Sequence, residues 1–331
     1  MDTSALDARY AAYARIDSYG PMAMFPHWQQ RLQLLLIWLT FLPLLRAFIC
    51  VLCIITFFLC CSLCSCLPAR VAHLMLPTTA TLLCRTVLLC CGVWRLRTSH
   101  APGSAAGESS TAVYVANHVS WLDILVCMEQ FFPAFISKAS VKQLPLIGVI
   151  ASAMQCIFAE REAAVKTPGG DASRPASAQV TAHVARRVAD SRTCRPLVAF
   201  PEGTTTNNMY LLPFKTGAFL AGVPVQPLLL RYSCRPFSPA FETIHVVRSI
   251  VLVLSQPWIS VEIIYLPQCA PTDSERANPA DFAERVRAEM LAAGASWGLQ
   301  PSTLTLTDKR VYHAGLLKVY NAWKDKSRRD A

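Results

Sequence analysis

The stretch from Ala47 to Leu67 runs 21 residues without a charged side chain. At about 1.5 Å rise per residue, a helix of that length covers roughly 31 Å, the thickness of a bilayer's hydrocarbon core. It predicts a membrane span at about 47–67, and the remainder of the chain must be organised around it. Leu32 to Leu45 is also free of charge, and Arg46 separates the two runs. The first run fits an extension of the span, an interfacial segment or the first arm of a hairpin, with Arg46 snorkelling in each case. Pro68 ends the span. Leu82 to Val93, broken by Arg85, is too short to cross comfortably and reads as a helix lying along the membrane. Arg70, Arg85, Arg95 and Arg97 follow the span with no acidic residue among them, which places the downstream chain on the cytosolic side.

The chain has 331 residues, 53% hydrophobic and 16% charged, too apolar for an ordinary soluble protein. The excess lies mainly before residue 100. Its net charge of +10 is not accompanied by aromatics interleaved with basic clusters, so nucleic acid is not the expected partner. Anionic headgroups and an anionic substrate account for the charge better. Of the 14 cysteines, nine fall between Cys50 and Cys91, in or beside the apolar segments. Thiols there need no partner. Cys50-x2-Cys53 and Cys61-x2-Cys64 lack the polar surroundings of a redox or zinc site and read as small apolar residues.

Residues 1–31 form a mixed N-terminal tail, 32–97 the membrane-embedded region, 98–300 an α/β domain and 301–331 a basic amphipathic tail. Within the domain, strand-like and helix-like runs alternate after a loop at Thr98–Thr111. Strands are expected at 112–116, 135–137, 156–159, 197–200, 223–232 and 261–266. Helices are expected after Asp123 and at 145–154, 177–191 and 279–293. In the tail, Tyr312, Leu316, Val319, Tyr320 and Trp323 share one helical face, suited to docking on the domain or lying on a membrane.

Two stretches carry chemistry. Asn117-His118-Val119-Ser120-Trp121-Leu122-Asp123 follows a strand and opens a helix. Asp123 can accept the Nδ1–H of His118 and leave Nε2 as a base. Some eighty residues on, Phe200-Pro201-Glu202-Gly203-Thr204 is a strand emptying into a tight polar loop. Its glycine permits close approach of backbone to ligand.

Together these resemble the H-x4-D and F-P-E-G-T blocks of the glycerolipid acyltransferases. Two more of that family's blocks stand in the right order, a strand ending in arginine (Ile157–Arg161) and Val223-Pro224-Val225-Gln226-Pro227. Phe214-Lys215-Thr216-Gly217-Ala218-Phe219 and Val261 to Pro267 resemble the lysophosphatidylcholine acyltransferase branch, over roughly residues 110–300. Some members of that branch carry C-terminal EF-hands, for which this sequence has no calcium loop. Glu160 precedes Arg161 where the family varies.

The resemblance implies a mixed, mainly parallel sheet flanked by helices, the glycerolipid acyltransferase fold. It implies acyl transfer from acyl-CoA, a co-substrate and not a bound cofactor, to a lysophospholipid hydroxyl, of the lysophosphatidylcholine type first. His118 would be the general base oriented by Asp123. Arg161, Glu202 and Gly203 would hold the acceptor, with Thr204 and Lys215 beside them. Val223, Pro224 and Pro227 would serve acyl-CoA or simply place a strand. No metal is implied, and the endoplasmic reticulum is the expected membrane. The nearest rival is acylation of 1-acylglycerol 3-phosphate. A second rival is a serine hydrolase using Ser296 in Gly294-Ala295-Ser296-Trp297-Gly298. That pattern needs a strand before its serine, and here a helix precedes it. A third is a non-catalytic membrane scaffold on the same fold.

Overall fold

The structure, a computed structural model, describes residues 3–17, 20–21, 27–104, 113–159, 176–189, 194–241 and 244–329. Seven strands form its main sheet: β1 (Val93–His100), β2 (Val113–Ala116), β3 (Ala134–Lys138), β4 (Ile157–Ala159), β5 (Leu197–Ala199), β6 (Gln226–Arg235) and β7 (Trp258–Tyr265). Their order is β1-β7-β6-β2-β5-β3-β4. The five strands from β6 to β4 are mutually parallel, while β7 is antiparallel to β6 and parallel to β1. The sheet is therefore mixed and mainly parallel, as expected.

The short central strands are apolar throughout because both sheet faces are covered. Val113, Val115, Leu197 and Ala199 turn to one face, against Phe282, Ala283, Val286 and Met290 of helix Pro279–Gly294. Ala116 and Val198 turn to the other, which packs on the helices described next.

The N-terminal apolar region is three helices: α1 (Trp28–Leu39), α2 (Leu42–Cys64) and α3 (Ala69–Cys90). Phe41, at φ 57, breaks the first run from the second. Two helical stretches, Leu42–Cys64 and Arg70–Cys90, are long and apolar enough to cross a membrane. This corrects two expectations. The span at about 47–67 begins earlier, at Leu42. Leu82–Val93 is no short surface helix, because its helical part continues a helix begun at Ala69. The two long helices pair with each other, so the hairpin is α2 with α3 and not Leu32–Leu45 with the span. Among the described residues every cysteine is free, and Cys53, Cys61, Cys64 and Cys84 pack as apolar side chains.

Arg46 does not snorkel. It is buried and donates from Nη1 to the carbonyls of Leu254 (2.8 Å) and Gln256 (2.9 Å). Those carbonyls close helix Val246–Leu254, whose C-terminal end leaves acceptors unpaired and favours a cation.

Two further differences concern the ends. The sheet starts at Val93, inside the stretch read as membrane-embedded, and β1 runs on through Thr98 to His100 where a loop was expected. The N-terminal tail folds: Tyr10, Ala12, Tyr13 and Ala14 are buried with Leu212 and with Tyr312 and Leu316 of the C-terminal helix Leu306–Arg329. That helix is docked over its first half, while Trp323 is exposed. The serine pattern lies where helix Pro279–Gly294 ends in a 3-10 turn, with Gly298 at φ 85. It is a helix terminus, not a nucleophile elbow.

Candidate active site

Strand register builds the site. β2 and β5 are parallel neighbours with Val115 opposite Ala199, so the loops starting at Asn117 and Phe200 leave the same sheet edge side by side. The carboxyl ends of parallel strands are where open α/β sheets place ligands. The Asn117 side chain continues the ladder by one step: it accepts from Leu230 N (2.7 Å) and donates to Leu230 O (3.0 Å). The chain is thus held extended until His118, where it turns.

His118 Nδ1 lies 2.8 Å from Asp123 Oδ2. The same oxygen accepts the backbone N–H groups of Val119 (2.7 Å) and Ser120 (2.9 Å). The other carboxylate oxygen accepts the hydroxyl of Tyr232 at 2.5 Å. Asp123, in the first turn of helix Leu122–Phe131, is wholly buried and accepts from four donors, three of them at the oxygen that faces His118. Nδ1 of His118 therefore carries the proton, and Nε2 is the basic nitrogen. The imidazole stacks on Phe200, ring centroids 4.2 Å apart and planes 17° from parallel, with the side chain one-fifth exposed.

Glu202 grips the His118 backbone from the neighbouring loop. Oε1 accepts the N–H of His118 (2.8 Å) and Oε2 that of Leu212 (2.9 Å). Thr206 N donates to His118 O at 2.9 Å, so both polar groups of that peptide are tied to the second loop. Burial pushes the Glu202 carboxyl up to about 8, against the pull of its two N–H donors and of Arg287, with Asp123 adding to the rise.

Its sign makes a prediction. A carboxyl raised above its unfolded value gives stability that is complete below about 4.5 and lost as pH rises through about 8. Glu202→Gln removes that titration and turns an amide N–H against one of the two backbone donors, a cost of about 1–3 kcal/mol. The stability advantage of the wild type over Glu202→Gln, followed as unfolding midpoints in detergent, should shrink between pH 5 and 8. A constant difference would contradict the raised value.

Gly203 sits at φ 71, a conformation that suits glycine, and a Cβ there would meet Lys215 Nζ at 2.6 Å. Lys215 thus lies across the Gly203 turn. Thr204 is half-buried beside it. Val223 and exposed Pro224 lead into β6, Val225 exchanges backbone hydrogen bonds with Cys269, and Pro227 pairs with Val115. Arg161 lies outside the described residues. Among those described, no group of three or more His, Cys, Asp or Glu is arranged to hold a metal ion. The structure thus gathers His118, Asp123, Glu202, Gly203, Thr204 and Lys215 at one edge, while Val225 and Pro227 of the Val223–Pro227 block make backbone pairings.

Sequence reading missed the roles of Tyr232, Asn117, Thr206 and Phe200. Tyr232 had one signal: a hydroxyl-bearing side chain closing the apolar run of Leu228, Leu229 and Leu230.

With this geometry, the similarities to known proteins are specific. The Acyltransferase family model matches residues 99–231. The lysophospholipid acyltransferase LPEAT1 of Arabidopsis thaliana is 43% identical over 216 residues, 65% of this chain and 52% of that protein. The lysophospholipid acyltransferase LPCAT4 of Xenopus tropicalis is 34% identical over 246 residues, 72% of this chain and 43% of that protein. The crystal structure of a 1-acyl-sn-glycerophosphate acyltransferase, PlsC from Thermotoga maritima, superposes with a TM-score of 0.51 at 16% identity. It covers 77% of this chain and 95% of that one, a likeness of fold. The chain belongs to the glycerolipid acyltransferase family. It spans about half the length, or less, of the curated relatives it matches.

Proposed function

We propose that this chain transfers an acyl group from acyl-CoA to the free hydroxyl of a lysophospholipid, with a lysophosphatidylcholine-type acceptor first. The observation that carries the reading is the His118 Nδ1 to Asp123 contact on a backbone clamped by Glu202 and Thr206. A hydroxyl near pKa 15 is a weak nucleophile, so its proton must leave as it attacks. Nε2 of His118 takes that proton while the hydroxyl oxygen bonds to the thioester carbonyl carbon. The C–S bond then breaks, and the CoA sulfur leaves with the proton returned by His118. The imidazolium formed midway faces buried Asp123, which lowers its energy without accepting the proton. Glu202, with both oxygens turned to backbone, acts by holding the His118 peptide in place. In this reading Gly203, Thr204, Lys215 and Arg161 meet the acceptor, Arg161 because a guanidinium pairs bidentately with phosphate.

The two apolar helices would hold this domain at a membrane, where both long-chain substrates partition. The endoplasmic reticulum, with the domain facing the cytosol, is the compartment proposed.

Membranes containing the chain should be given one labelled acyl-CoA and lysophosphatidic acid, -choline, -ethanolamine, -serine and -inositol in turn. Acylation of one or two acceptors is expected, lysophosphatidylcholine among them. Acylation of lysophosphatidic acid alone would replace the proposed acceptor with 1-acylglycerol 3-phosphate. Transfer to none would move the chain to the scaffold reading.

A further inference from the structure

Both ends of the chain reach the loop that carries Gly203 and Thr204, and both lie outside the stretch matched to the family. On the helix Leu306–Arg329, Lys309 turns its ammonium into that loop. Nζ lies 3.2 Å from Thr204 Oγ1, 2.9 Å from Thr205 O, 2.8 Å from Thr205 Oγ1 and 3.3 Å from Phe241 O. It also stands 5.6 Å from the ring centroid of Tyr13. Thr205 in turn donates its hydroxyl to Phe241 O, and Phe241 N donates to Val119 O at 2.9 Å. One ammonium thereby joins the residue after Gly203 to the residue after His118.

The N-terminal segment completes the clasp. Asn207 donates from Nδ2 to Ala11 O and Ala14 O, both at 2.8 Å, and from its backbone N–H to Ala12 O at 3.0 Å. Tyr13 donates to Thr305 O (2.7 Å) and Tyr312 to Asp7 Oδ1 (2.5 Å), tying the two termini together. Buried Arg15 donates to Ala240 O (2.8 Å), next to Phe241.

We propose that Lys309 is a positioning residue for acyl transfer: its ammonium fixes Thr204 and Thr205 so that the Gly203 turn presents its groups to the acceptor at the distance His118 requires. This rests on the acyltransferase reading of the site. A residue that merely glued the tail on would need contacts with neighbouring surface. Lys309 instead donates into the site loop and to the Phe241 carbonyl that the loop shares. Its charge makes each of those bonds stronger than a neutral one. Small displacements of a positioned substrate are costly, since about 1 Å can lower a rate about a hundredfold.

The test compares the full chain with Lys309→Met in membranes or detergent. Loss of the clasp should lower kcat/KM for the lysophospholipid at least about tenfold, with the KM for acyl-CoA unchanged. Hydrogen exchange by mass spectrometry should show faster exchange at residues 203–207 and unaltered protection at 306–316 and 3–17. Unchanged exchange at 203–207 overturns the clasp. Faster exchange across 306–316 and 3–17 as well overturns positioning, because Lys309 would then only dock the helix. A KM for acyl-CoA raised as much as that for the lysophospholipid overturns it too. If the wild type acylates no lysophospholipid, the acyltransferase reading fails by itself, and the exchange contrast still decides whether Lys309 holds the loop.

Discussion

Replacing His118 by alanine is expected to lower acyl transfer by about a thousandfold, within the range a positioned general base contributes. The protein should still fold. Its backbone N–H and C=O at this position are held by Glu202 and Thr206 through contacts that do not involve the side chain. What is lost is a ring one-fifth exposed and stacked on Phe200, so the cost to stability is small next to the cost to chemistry. The measurement is the initial rate with labelled acyl-CoA at matched amounts of membrane-inserted chain. A rate within a few-fold of wild type would remove His118 as the base.

Asp123→Asn should separate charge from shape. Three donors meet at Oδ2, the His118 imidazole and the N–H groups of Val119 and Ser120, while only Tyr232 faces the other oxygen. An asparagine satisfies all of them if its carbonyl replaces Oδ2 and its amide donates to the Tyr232 hydroxyl, which rotates to accept. The variant should therefore fold with the imidazole in its native tautomer. It lacks the buried negative charge opposite the imidazolium, and the rate should fall by about a hundredfold to a thousandfold. Asp123→Ala, by contrast, strands four donors in the interior, each costing about 1–3 kcal/mol, and should fail to accumulate. Near-wild-type turnover by Asp123→Asn would show that Asp123 only orients the ring.

The electrostatic setting of Tyr232 makes the same point from the other side. Burial, and next to it the Asp123 charge, hold its phenol well above the usual value of 10. It stays a donor across the working pH range and keeps Asp123 an acceptor.

Much of this was legible from residues in sequence. The apolar runs that became β2, β5 and β6 were bounded by turn residues, and His118 and Asp123 lay five positions apart beside a strand. Two kinds of element escaped. β1 was hidden because its Arg95 and Arg97 read as membrane-flanking charges. As an edge strand it is exposed on much of both faces, so it shows no apolar alternation. The first half of the helix Ala69–Cys90 was hidden by Pro77, Thr78 and Thr79, which weaken a helix signal that tertiary packing restores. Contacts across long separations escaped as well. Nothing near Lys309 in the sequence points to Thr205, 104 positions away, and nothing near Glu202 says that its carboxylate faces inward.

The burial of Arg46 has a consequence for how little of this chain can keep the site intact. Its two hydrogen bonds bolt the first long apolar helix to the end of Val246–Leu254. Cys53, Phe57 and Leu88 of the apolar pair share one packed interior with Val119 and Leu122, on either side of Ser120 in the motif that bears His118. The apolar pair is thus a wall of the domain that carries the His118 site. Cutting the chain just before the sheet would not leave the same site on a smaller domain. It would take away the surface on which the histidine's own loop rests.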